Sequence, residues 1–263
     1  MIPQITLNNG ICVPQLSIGT YKVDDLQSVI RAGFQAGLDA VDAAEHYHNE
    51  AEVGQALAAI GRPRSEYYLS TKIWNLDHGY QRTLEAFEES VRLLIHWPCP
   101  MKGLYQETWQ ALQKLYADGR VKAIGVSNFK VHHLEALKAL GGVQPMVNQI
   151  EMHPYYIDDE MLEYAKKNSM RDEAWSPLMR GKQIITDPVI VNMAEKYGVS
   201  PAQLTIRYLT QYGVRVIVKS NNPVHLAENC EIFSFTIENE DVQTLRKLNR
   251  GKRVFQDPDE YYI

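Results

Sequence analysis

Asp42, Tyr47, Lys72 and His96 place an acid, a phenol, an amine and an imidazole at or just past the ends of three short apolar runs, LDAVDAAEHYHNE, YYLSTKIWN and LLIHWP. If those runs are strands, the groups leave their ends in one direction, an arrangement suited to proton transfer to a carbonyl. A phenol has an ordinary pKa of about 10, so it is a poor acid at neutral pH unless a cation sits beside it. Lys72 is the candidate cation. Asp42 would keep the lysine charged and aimed, and His96 would orient the substrate oxygen. Taken singly, each has a plainer reading: a helix N-cap for Asp42, a solvated charge for Lys72, packing for Tyr47. The combination carries the functional one.

The elements that must position these groups are legible as an alternation of short apolar runs and longer amphipathic ones. QITLNNGICVP reads as a hairpin turning at Asn9-Gly10. Strand-like runs follow at Gln15–Gly19, Leu38–Ala43, Tyr67–Ile73, Val121–Val126, Met146–Glu151 and Val214–Val218. Helical spacing occupies Asp24–Ala36, Glu50–Ile60, Gln81–Leu93, Glu107–Ala117, Val131–Leu140, Asp158–Asn168, Pro201–Tyr212 and Glu240–Leu248. Gly119 is a plausible C-cap, and Ser200 with Pro201 opens a helix. Repeated strand–helix units predict an α/β fold, a (β/α)8 TIM barrel with an N-terminal β-hairpin, as one domain over 1–263. An open doubly wound sheet would be expected to carry a G-x-G-x-x-G turn after an early strand, and the sequence has none. In a barrel, reactive side chains gather at the C-terminal strand ends, where all four residues fall.

Composition bounds the possibilities. The chain has 263 residues, 45% hydrophobic and 22% charged, with a formal net charge of -5. Neither the charge nor any basic run suggests a nucleic-acid partner. No apolar run approaches a membrane span, and the first residues lack the pattern of a secretory signal. The three cysteines, Cys12, Cys99 and Cys230, are expected to be free thiols of a reduced cytoplasmic protein. Cys99 lies near His96 but sits between prolines with no suitably spaced base, against a nucleophile. His46 and His48 flank Tyr47 in a loop without a cysteine partner, an improbable zinc site, so no metal is expected. His132-His133 reads as a solvated helix start, and the C-terminal tyrosines as a tail packed over the barrel mouth.

At this point the chain resembles an aldo-keto reductase. The segments that carry the likeness are LDAVDAAEHYHNEAEVGQAL, YYLSTKIWN, LIHWPCP, GRVKAIGVSNF, VNQIEMHPY, AWSPL and VKSNNPVHLAEN, in order across nearly the whole chain. The branch it is most similar to is bacterial and includes diketogluconate reductases. The resemblance implies a catalytic tetrad of Asp42, Tyr47, Lys72 and His96, with Tyr47 donating a proton to the carbonyl oxygen and Lys72 lowering its pKa. It implies NADPH (NADP+) as cofactor. Gly19, Thr20 and Asp42 would line its site, while Ser127, Asn128 and Gln149 would hold the carboxamide and Trp175 would stack on the nicotinamide. Ser176 and Leu178 would meet the pyrophosphate and ribose. Lys219 and Ser220, with Asn221, would meet the 2'-phosphate, and Glu228 and Asn229 the adenine. The residues themselves agree at Lys219-Ser220-Asn221-Asn222-Pro223, where a lysine ends a strand before a proline-initiated helix, a ready anion site. Tyr21, Trp74 and Trp97 would wall the substrate pocket, and relatives of this branch are commonly monomers.

Three departures from the family pattern stand out. TLEAFEESVRLLIHWP is too short for a full helix, a loop and a full strand, so either the helix is cut short or the fourth barrel strand is a stub. The seventh barrel strand reads SMRDEAW, and Arg171, Asp172 and Glu173 are hard to bury unless paired, so a short, displaced or exposed strand is expected. His225 stands where NADPH-preferring relatives usually carry arginine, which predicts weakened discrimination against NADH. The expected function is NAD(P)H-dependent reduction of small aldehydes, ketones, dicarbonyls or keto-sugars. The alternative is a nucleotide-binding paralogue of little or no activity, a sensor or partner protein. An aldolase using Lys72 as a Schiff base is a weaker third.

Overall fold

The computed structural model describes residues 1–87, 92–181 and 183–261. A two-stranded antiparallel hairpin, β1 (Gln4–Thr6) and β2 (Cys12–Pro14), comes first. Eight parallel strands then close into a barrel: β3 (Leu16–Gly19), β4 (Ala40–Asp42), β5 (Tyr68–Ile73), β6 (Arg92–Ile95), β7 (Ala123–Ser127), β8 (Val147–Glu151), β9 (Arg171–Trp175) and β10 (Arg215–Val218). Neighbours follow chain order, and β10 pairs with β3 to seal the cylinder. Leu7 and Val13 of the hairpin join the core, and Thr6 and Pro14 carbonyls accept from Arg171 and Arg215 at the strands' N-terminal ends.

Helices α1 (Leu26–Gln35), α2 (Glu50–Ile60), α3 (Tyr80–Ala86), α4 (Tyr105–Ala117), α5 (Val131–Ala139), α6 (Asp159–Lys167), α7 (Pro188–Tyr197), α8 (Pro201–Gln211), α9 (Pro223–Glu228) and α10 (Asn239–Arg246) complete the chain. Several starts are fixed locally. Asp25 and Asp158 accept from backbone N–H groups three residues on, and Ser200 with Gln203 forms a reciprocal capping box. α7 is absent from the sequence reading. Asp187 before Pro188, apolar Ile190, Met193 and Ala194, and left-handed Gly198 are the signals that would have found it. Two glycines are demanded by close packing. A Cβ on Gly33 would meet Ile18 Cδ1 at 2.4 Å, and one on Gly125 would meet the Val147 carbonyl oxygen at 2.7 Å. No helix among the described residues is long and apolar enough to cross a membrane.

The two unusual segments resolve differently from each other. In the first, the helix yields: α3 stops at Ala86 rather than Leu93, and β6 pairs through Arg92–Ile95 with both β5 and β7. Residues 88–91, part of the expected helix, lie outside the described residues. The second corrects the expectation of a short, displaced or exposed strand. β9 is five residues long and pairs with β8 along its whole length. Its charges are accommodated one by one. Arg171 is exposed and donates to the Thr6 carbonyl. Glu173 is buried against Arg215 of β10, Nη1 to Oε1 3.1 Å. Asp172 is buried too, and that burial, with Asp158 and Glu173 nearby, pushes its carboxyl well above the usual range.

Candidate active site

Strand order brings the four chemical groups together. Asp42 ends β4, Lys72 lies on β5, His96 follows β6, and Tyr47 closes a 3-10 turn, Glu45–Tyr47, just after β4. Lys72 Nζ lies 2.7 Å from Asp42 Oδ2, 2.7 Å from the Ala43 carbonyl oxygen and 3.4 Å from the Tyr47 hydroxyl. Ser70, two residues before Lys72 and so on the same strand face, donates to Asp42 Oδ1 at 2.8 Å. The Tyr47 and His96 rings stand edge to face with centroids 5.8 Å apart. The short junction before β6 therefore does not displace His96 from the group.

A polar chain continues across the barrel. Gln149 on β8 donates from Nε2 to Asp42 Oδ1 at 2.9 Å and lies 3.2 Å from Glu173 Oε2. β4 and β8 are not neighbours, so the Asp42 contact crosses the lumen. Glu173 then pairs with Arg215, whose Nε donates to the Pro14 carbonyl oxygen at 2.6 Å. Neither Glu173 nor Arg215 was singled out from sequence as part of this network. Period-2 alternation could have found Glu173, because it shares a face with Trp175.

Burial and charge set the proton states. Burial pulls the Lys72 ammonium down, but Asp42 and Tyr47 outweigh it and its pKa rises, so Lys72 is a cation. Lys72 does act downward on the Tyr47 phenol, as expected, but burial outweighs it and the net direction is up. Tyr47 is thus held as the neutral, proton-bearing phenol. Burial, with Lys72 and two further histidines nearby, drives His96 well below its ordinary value, leaving a neutral imidazole. Glu45 was not anticipated. It accepts the Trp74 backbone N–H at 2.9 Å, and burial lifts its carboxyl to about 7.

The structure brings Tyr21 and Trp74, two of the residues expected to wall a substrate pocket, against the reactive group. Tyr21 packs on Tyr47 with centroids 4.9 Å apart, and Trp74 stacks on His46 at 3.8 Å and stands 5.2 Å from His96. Trp97 stacks on Tyr261 at 4.2 Å and on Phe255 at 5.8 Å, which puts the C-terminal segment at the mouth. Cys99 is buried beneath this cluster, its thiol pushed up by burial to about 11, against a nucleophile.

The residues expected to meet a cofactor fall into an inner and an outer set. Thr20, next to Gly19 at the end of β3, donates from its hydroxyl to the Asp42 carbonyl oxygen at 2.9 Å. Ser127 donates to the Gln149 carbonyl oxygen, and left-handed Asn128 donates to the His96 carbonyl oxygen at 3.0 Å. The Trp175 indole donates to Asn128 Oδ1 at 2.9 Å, so one inner network links Ser127, Asn128 and Trp175 to the reactive groups. Ser176 follows with a left-handed φ of 55°, and Leu178 packs on the core. The outer set lies after β10. Lys219 donates to Asn221 Oδ1 at 2.6 Å, and Asn221 donates in turn to Asp24. The Val224 N–H of α9 is taken by Asn222. His225 and Glu228 are exposed and Asn229 is buried.

His133 corrects the reading of a solvated helix start. It is buried, its Nδ1 accepts the Lys130 backbone N–H at 3.2 Å, and burial lowers its pKa to about 4.

The sequence pattern of the Aldo/keto reductase family matches residues 14–250. The chain is 40% identical to the glyoxal reductase of Bacillus subtilis, covering 97% of this chain and 96% of that one. It is 36% identical to the methylglyoxal reductase DkgA of Salmonella typhimurium, covering 98% and 97%. A solved structure of a Gox0644 variant in complex with NADPH superposes with a TM-score of 0.94 at 38% identity, covering 99% of each chain.

Proposed function

The chain belongs to the aldo/keto reductase family, and from that premise we propose that it reduces small reactive carbonyls with NADPH, using Tyr47 as the proton donor. The observation that carries the proposal is the buried Lys72 cation, 2.7 Å from Asp42 and 3.4 Å from the Tyr47 hydroxyl. A carbonyl oxygen gains negative charge during reduction. A neutral phenol beside a fixed cation is suited to meet that charge with a proton. His96, neutral and beside Tyr47, is a second hydrogen-bonding group for the same oxygen.

The residues present fit a nicotinamide dinucleotide. Ser127, Asn128, Gln149 and Trp175 offer amide, hydroxyl and indole groups beside the reactive centre, and Lys219 with Ser220 offers a cation and a hydroxyl at the outer edge. When bound, the cofactor supplies the hydride. The relatives named for glyoxal and methylglyoxal reduction favour dicarbonyls as the first substrates to try. His225 in place of a fixed guanidinium supports use of NADH alongside NADPH. The test is NADPH oxidation with glyoxal, methylglyoxal and simple aldehydes, run with Tyr47→Phe. Turnover lost in the variant supports the reading. Tight NADPH binding without turnover on any of them would overturn it in favour of a binding protein.

A further inference from the structure

The C-terminal segment is fastened to the barrel mouth at two points. The inner one is Glu151, the last residue of β8, whose side chain is fully buried. Its carboxylate accepts from the Val254 backbone N–H, from the Phe255 backbone N–H at 3.3 Å and from His153 Nε2 at 3.0 Å. Arg253 Nε stands 3.8 Å from the same carboxylate. The outer point is Lys130, whose ammonium reaches Asp257 at 2.5 Å and Asp259 at 2.7 Å, with His132 and His133 also against Asp259. The histidines and Asp259 do not make a convincing metal site. His133 Nδ1 already accepts a backbone N–H, so Nε2 carries the proton, and the Lys130 ammonium repels a cation.

The same segment carries the aromatic contacts that wall the site, Phe255 at the inner fastening and Tyr261 just beyond the outer one. Phe255 faces Trp97 and also Trp175, with centroids 5.8 Å and 6.0 Å away. Tyr261 stacks on Trp97, the residue after His96. Phe255 remains 37% exposed, so burial alone gives it little reason to stay in place. Charge-assisted hydrogen bonds to its own backbone and its neighbour's hold it there.

We propose that Glu151 is a positioning residue for substrate choice: by gripping Val254 and Phe255 it holds Phe255 and Tyr261 as a wall on Trp97, which favours carbonyls bearing a flat apolar group over the smallest aldehydes. The inference rests on the carbonyl-reductase reading of the site. Glu151 pairs with Trp175 through the backbone ladder of β8 and β9, but its carboxylate binds the C-terminal segment and His153, so its effect is on substrate fit.

The test compares phenylglyoxal with methylglyoxal as substrates for the full chain and for Glu151→Gln. The expected result is a rise of about fivefold in KM for phenylglyoxal, a smaller change for methylglyoxal, and kcat moving less than KM. Phe255→Leu is expected to reproduce the shift, and the double variant to add little to it. A fall in melting temperature with both KM values unmoved, or an equal rise in both, would overturn the proposal. Should Glu151→Gln fail to fold, Asp257→Asn with Asp259→Asn releases the same segment from its exposed end and must shift the same preference. Amide hydrogen exchange at Val254 and Phe255 gives a readout independent of turnover. Fast exchange in Glu151→Gln is required, and unchanged protection overturns the inference. A native chain that reduces neither aldehyde sinks the reductase reading itself.

Discussion

Arg215 and Glu173 form an ion pair inside the barrel, 3.1 Å apart on adjacent strands whose register sets them side by side. Barrel interiors are usually packed with branched apolar side chains. Here a charged pair occupies that space, and Gln149 connects it to Asp42. Taking one partner away leaves a charge in a place water cannot reach. Arg215→Leu is expected to cost about 3–5 kcal/mol, and Arg215→Leu with Glu173→Leu to recover most of it. Urea denaturation of the native chain and both variants checks this. A single variant no less stable than the double would contradict it.

Tyr47 is held protonated by burial, and this fixes the sign of its pH dependence. The donor is the protonated form, and its pKa is raised above the ordinary 10.0. The Tyr47 step is therefore expected to hold its rate through neutral pH and to fail only as pH rises through that raised value. Tyr47→Phe should lower kcat by about 10²–10⁴ while retaining NADPH binding. Stopped-flow reduction across alkaline pH is the measurement. A step already falling between neutrality and pH 9 would contradict the assignment.

Lys72 and Asp42 stabilise each other as well as the site. Lys72→Met removes the cation from an aspartate that is 2% exposed, so both turnover and stability should fall. Asp42→Asn keeps the shape but leaves the buried Lys72 ammonium without its counter-charge, so it too should lose stability along with turnover. Thermal melts read beside NADPH oxidation separate the two effects.

His225→Arg tests the reading of the outer edge. A fixed guanidinium near Lys219 should raise the preference for NADPH over NADH by about tenfold. Fluorescence titration with both cofactors measures it. An unchanged ratio would place the 2'-phosphate away from His225.

His78 is buried, neither of its ring nitrogens has a hydrogen-bond partner among the described residues, and burial lowers its pKa to about 4. The unfolded chain takes up this proton near 6.5, whereas the folded chain does so only near 4. Stability from the neutral ring is therefore present above that window and lost as pH falls through it. Glu45 acts in the opposite sense, its carboxyl raised from 4.5 to about 7, so its burial costs stability as pH rises through that range. The slope must accordingly be read by comparison. His78→Phe should lose less stability than the native chain between pH 6.5 and pH 4. Parallel acid-induced losses would contradict it.

The sequence by itself determined the alternation of strands and helices, the hairpin, and the placement of Asp42, Tyr47, Lys72 and His96 at strand ends. These follow from local signals: apolar runs, capping residues, and the rule that barrel strands point one way. It also flagged the two places where the pattern failed. What became of them was a matter of tertiary structure. Helix propensity over residues 81–86 does not say where α3 must stop; pairing of Arg92–Ile95 with strands on both sides does. Arg171, Asp172 and Glu173 look unburiable in one dimension, because the partner of Glu173 lies on another strand, 42 residues away. The proton state of Tyr47 was equally out of reach. A neighbouring lysine can be read from a motif, but burial, which outweighs it, exists only once the barrel has closed.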